Sequence, residues 1–116
     1  MSLINEQAIF LRQMCNLIDY AEQHYATTGG ELERTQAQHD ANVKAGRSKA
    51  TRSRHMDRCA IDLHFYQLND GKFIEVTDKA RLQNLGNYWK SLDPKNRWGG
   101  DWKNPFDPWH FERGVV

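Results

Sequence analysis

The sequence predicts an α+β fold: a small antiparallel or mixed sheet packed with helices, forming one compact domain over residues 1–116. Three observations carry this reading. Apolar residues recur at three- and four-residue spacing near the N-terminus, they alternate at every second position from Ala60 to Tyr66, and a hairpin signal, Asn69-Asp70-Gly71, follows that alternation. A chain of 116 residues can bury one core with little surplus. With 39% hydrophobic and 27% charged residues, four Trp, four Tyr and five Phe, its composition is that of a folded globular protein and not of a disordered one.

In chain order, Ile9, Phe10, Met14, Leu17, Ile18, Ala21 and Tyr25 form one stripe, which predicts an amphipathic helix over residues 5 to 25. Thr27 to Gly30 end it. Glu31 to Arg34 is assigned to a strand, and Thr35 caps a helix that runs to about Lys44 and stops at Gly46. Ile61, Leu63 and Phe65 then alternate with Asp62, His64 and Tyr66, so a strand here turns the three apolar side chains to one face and Asp62 and His64 to the other. The hairpin returns as KFIEV. Residues 78 to 91 are helical by their apolar set Ala80, Leu82, Leu85, Tyr88 and Trp89, and short strands are expected near Arg97 to Trp102 and Trp109 to Glu112.

Net charge is only +1, yet between Lys44 and Arg58 six basic residues stand against one acid, Asp57. That loop can meet an anionic partner, although a solvated loop explains it as well. A nucleic-acid module, with the basic loop on phosphates and aromatics stacking on bases, is opposed by the near-zero net charge and by the absence of a matching motif. Cys15 and Cys59 are too few and too far apart for a disulfide framework, and both are read as small buried hydrophobes. No apolar run approaches the roughly 20 residues of a membrane span, and MSLINEQAIF has no charged start followed by an apolar core, so neither a membrane partner nor an export signal is expected.

Asp62 is the anomaly in this pattern, because a carboxylate on a core strand is costly unless something pairs with it. His55 lies seven residues before it. Near the C-terminus, DPWHFE brings another histidine: in a strand His110 and Glu112 face one way, with Trp109 and Phe111 anchoring the other, and Asp107 stands three residues upstream of His110. Zinc accepts imidazole nitrogen and carboxylate oxygen, and a catalytic zinc site uses three protein ligands with one position left for water. Duller explanations stand beside this one. Arg34, Arg54 or Arg58 can pair with Asp62 as a plain salt bridge, His55 can be a solvated side chain, and His110 can be a core histidine. His64 shares Asp62's face, while His24 and His39 are expected at the surface. The tryptophans are expected in the core and cleft walls, with Trp102 a candidate for lining the groove.

SRHMDRCAIDLHF resembles the S-x-H-x(6)-D motif of the M15 zinc peptidases, the D-alanyl-D-alanine carboxypeptidases and L-alanyl-D-glutamate endopeptidases. DPWHFE is similar to that family's acid-x-x-His motif, WGGDW to the Trp-Gly-Gly segment that precedes it in phage members, and GELERTQAQ to the strand that carries an arginine followed by threonine. The resemblance spans about residues 29 to 112, in the family's order. Arg58 departs from it, standing where many members have glycine. The resemblance implies that His55, Asp62 and His110 bind Zn2+, that Asp107 is the catalytic base, that Arg34 steadies the substrate carbonyl and that Ser53 braces the His55 loop. It further implies a monomeric phage endolysin, made in the host cytoplasm and released to the cell wall, that cuts the bacterial peptidoglycan stem peptide, most readily as an L-alanyl-D-glutamate endopeptidase. A D-Ala-D-Ala carboxypeptidase, or a non-catalytic zinc-stabilised virion protein, are the alternatives.

Overall fold

A computed structural model describes residues 2–30, 32, 57–103 and 105–114. The strand expected at Glu31–Arg34, the helix expected after Thr35 and the basic loop before Asp57 lie outside the described residues, apart from Leu32. With them lie three of the residues singled out above, Arg34, Ser53 and His55.

Helix α1 (Leu3–Ala21) begins where the Ser2 side chain accepts a hydrogen bond from the Asn5 amide, and it buries Phe10, Met14, Leu17 and Ala21. It stops short of Tyr25, and the chain turns at once into a strand, β1 (Ala26–Gly29), where the sequence had suggested only a break. β2 (Ala60–Asn69) and β3 (Lys72–Val76) form the expected hairpin, whose turn residues Asp70 and Gly71 both take positive φ, 51° and 77°. Asp78 caps α2 (Lys79–Leu92) through a hydrogen bond from the Arg81 amide. β4 (Asn96–Trp98) runs into a 3-10 turn at Gly99–Asp101, so the strand expected through Trp102 ends four residues early; β5 (His110–Arg113) closes the fold.

All strand pairings among the described residues are antiparallel. β2 is the long central member, paired with β5 at Ala60–Asp62, with β1 at Leu63–Tyr66 and with β3 at Phe65–Asn69, while β4 pairs with the outer side of β5. The fold is therefore α+β. Ile61, Leu63 and Phe65 point to the helices and join Phe10, Leu17, Leu82, Leu85, Trp89, Trp98 and Phe111 in one core. Phe111 lies edge-on to both Phe65 and Trp89, at 6.0 and 6.2 Å between ring centroids. Cys59 is buried as expected, whereas Cys15 faces outward from α1 and is exposed. No helix among the described residues is long and apolar enough to cross a membrane.

Candidate metal centre and its relatives

The face of β2 turned away from the helices carries Asp62, His64 and Tyr66, each half-buried. Register then does what sequence distance conceals. Asp62 pairs directly with His110 across β2 and β5, so two side chains 48 residues apart become nearest neighbours on one face. His110 Nδ1 lies 3.3 Å from Asp62 Oδ1, and a ligand atom from each of Asp62, Asp107 and His110 falls within 4.8 Å of the others.

The turn that delivers Asp107 and His110 is pinned at every residue. Asp107 N–H donates to the Gly99 carbonyl at 3.1 Å, the Trp98 indole N–H to the Pro108 carbonyl at 2.7 Å, Leu63 N–H to the Trp109 carbonyl at 2.9 Å, and His110 N–H to the Asp107 carbonyl at 3.1 Å. The Trp-Gly-Gly sequence owes its form to this packing. A Cβ on Gly99 would overlap the Asp107 carbonyl oxygen, and one on Gly100 would overlap the Trp98 ring. Because Trp109 belongs to the turn and not to β5, the strand alternation does not reach it. It leaves the core and stacks instead near His64, at 6.0 Å and 26° between the rings, which corrects its expected place beside Phe111. His64 stays on Asp62's face as expected, its Nδ1 held 2.8 Å from Glu75 Oε2.

Trp102, expected along the groove, packs against the His110 ring with centroids 5.0 Å apart, and one partner of His110 escaped the sequence reading. Glu112 accepts from or shares a proton with His110 Nε2 at 2.8 Å; the i, i+2 alternation had put both on one face without giving Glu112 a task. Burial pushes the His110 pKa down, but the hydrogen bonds and charges of Asp62 and Glu112 outweigh it and raise the value to about 9. The pocket thus favours positive charge at a point where two carboxylates and an imidazole converge. Oxygen and nitrogen donors in that combination fit a borderline divalent ion such as zinc.

The family model for M15 peptidases, described as D-alanyl-D-alanine carboxypeptidase, matches residues 46–113, more than half of the chain. The chain belongs to the M15 peptidase family. No curated protein matches it significantly. Among solved structures, the crystal structure of the Serratia marcescens L-Ala D-Glu endopeptidase ChiX is similar at a TM-score of 0.68 and 22% identity, over 90% of this chain and 77% of that one. That likeness shows a shared fold. The matched span takes in Asp62, Asp107 and His110 and the β2–β5 pairing that sets Asp62 opposite His110.

Proposed function

We propose that this M15 peptidase is a zinc-dependent peptidoglycan hydrolase, a phage endolysin that cleaves the L-alanyl-D-glutamate bond of the stem peptide. The observation that carries the reading is the convergence of Asp62, Asp107 and His110 on the open face of the sheet. Asp62 and His110, with His55, seven residues before Asp62 in the sequence, would hold the ion. Bound there, zinc supplies Lewis-acid polarisation of the scissile carbonyl and brings water into its reactive form near neutral pH. Asp107, at the edge of the same cluster, takes the proton of the attacking water and passes it to the leaving amine nitrogen. By the resemblance to the family, Arg34 would supply positive charge to the carbonyl oxygen as it becomes anionic, a role typically worth about 3 kcal/mol for one such donor. Trp102 packs against the His110 ring and Trp109 against that of His64.

The name attached to the matched family, D-alanyl-D-alanine carboxypeptidase, favours a second reading in which the terminal D-alanine is removed. Digestion of purified peptidoglycan with the protein, with chelator and after zinc add-back separates the two by mass spectrometry. A new amino-terminal glutamate that depends on metal is the expected product; loss of D-alanine selects the carboxypeptidase, and no metal-dependent product overturns both. The endolysin reading, with synthesis in the host cytoplasm and action on the wall after release, draws its support from the resemblance of WGGDW to phage members. Cells expressing the protein should stay intact until their membrane is permeabilised, and lysis without permeabilisation would refute that part.

A further inference from the structure

His110 offers its two ring nitrogens to two different carboxylates. Nδ1 lies 3.3 Å from Asp62 Oδ1, and Nε2 lies 2.8 Å from Glu112 Oε1. A neutral imidazole has one N–H and one lone pair, on opposite nitrogens, and an ionised carboxylate only accepts. Between two carboxylates the ring can donate from both nitrogens, but a metal ligand keeps only one N–H; the shorter contact marks Nε2–Glu112 as the one kept, and Nδ1, beside Asp62, as the nitrogen that turns to a metal. We propose that Glu112 is a positioning residue: it holds the His110 ring in this tautomer and orientation, with Nδ1 as the metal-facing atom, and Arg97 holds Glu112 in turn. The inference rests on the metal reading given above.

The sheet explains why Glu112 can do this. Its second oxygen, Oε2, is 2.7 Å from Arg97 Nη2, and Arg97 is its cross-strand partner in the β4–β5 register. The carboxylate is thus gripped at both oxygens, one by the guanidinium and one by the imidazole, so its plane is fixed. The backbone beneath it is fixed too, because the Trp89 indole N–H lies 3.1 Å from both the Arg97 and the Glu112 carbonyls. Glu112 is 7% exposed, so this pairing is shielded from competing water. Histidines that bind metals usually donate the other ring N–H to such a partner, and losing that partner typically weakens metal affinity about 10- to 100-fold.

The test is zinc affinity by chelator competition, together with the visible absorption spectrum of the cobalt-substituted protein, for the full chain and its Glu112→Ala, Glu112→Gln and Arg97→Met variants. Thermal melts of the metal-free forms run in parallel. Glu112→Ala should bind zinc about 10- to 100-fold more weakly and shift the cobalt spectrum. Glu112→Gln, whose amide oxygen still accepts from Nε2, should recover most of the affinity and the wild-type spectrum. Arg97→Met should fall between them. A role confined to fold stability would lower the metal-free melting temperature and leave the cobalt spectrum unmoved, which would overturn the proposal, as would zinc affinity within twofold of wild type in Glu112→Ala. If that variant does not fold, an unchanged spectrum and affinity in Arg97→Met has the same effect. Wild-type protein that binds neither ion overturns the metal reading itself and this inference with it.

Discussion

Asp62 can occupy the middle of a core strand because its side chain leaves by the face that the helices do not cover. On that face it meets His110 and Asp107, and the three should separate by role. Asp62→Ala and His110→Ala are expected to lose bound metal and activity together. Asp107→Ala is expected to keep wild-type metal stoichiometry by elemental analysis while its turnover falls about 10²- to 10⁴-fold; loss of the metal in that variant would make Asp107 a ligand instead of the base. Arg58 is a second residue whose sequence oddity has a local cause. It stands where many M15 members have glycine, and its φ is +54°, in the left-handed region that costs a residue with a Cβ about 1–2 kcal/mol. Arg58→Gly should therefore stabilise the fold by up to about 1 kcal/mol once the extra backbone entropy of glycine is subtracted, read as a rise in Tm of a few degrees. A fall in Tm would mean that contacts of the Arg58 side chain outweigh the strain.

At the level of elements, the pieces with strong local signals were legible and those set by partners were not. The alternation at Ala60–Tyr66 and the Asn-Asp-Gly turn announced β2 and β3 because period and turn chemistry are local properties. β1 went unseen because Ala-Thr-Thr-Gly is too short and too glycine-flanked to signal a strand; its pairing with Tyr66 through Leu63 makes it one. The truncation of β4 and the departure of Trp109 from β5 both follow from the Gly99 contact with the Asp107 turn, which joins segments that no window of sequence compares. The same packing makes α2 sensitive at one point. A Cβ on Gly86 would overlap the Trp98 ring, so Gly86→Ala should cost about 1–3 kcal/mol in urea unfolding. Gly29→Ala, with nothing within 4 Å of the added carbon, should stay within about 0.5 kcal/mol and serves as the control.

Over the whole molecule, a charge network fastens the start of α1 to the end of β5. Glu6 is buried and accepts from Lys95 at 2.6 Å and from Arg113 at 3.4 Å, and Arg113 also reaches Asp93 at 2.8 Å. The hydrogen bond from Lys95 above all holds the Glu6 carboxyl below the usual carboxylate range, and that from Arg113 does the same for Asp93. Because both pKa values are depressed in the folded chain, their stabilisation is complete above the ordinary value of about 4 and is lost as pH falls through the lowered ones. Thermal midpoints should accordingly hold level on this account above about pH 5 and drop below about pH 4. Arg113→Met should lower the plateau and flatten the acid decline, and an acid slope equal to wild type would show that the network does not govern it.

The pairing of Asp62 with His110 also bears on time. The two residues are 48 positions apart, and they meet only when the last strand docks against the first half of β2, an event late in any route that forms local hairpins and helices first. An ion held between them would stabilise the native state more than the transition state. On the metal reading, zinc should leave the refolding rate nearly unchanged and slow unfolding, so that stopped-flow measurements find its whole effect in the lifetime of the folded enzyme. On the proposed endolysin function, a hydrolase released among broken cells would then draw its endurance from the same ion that makes it active.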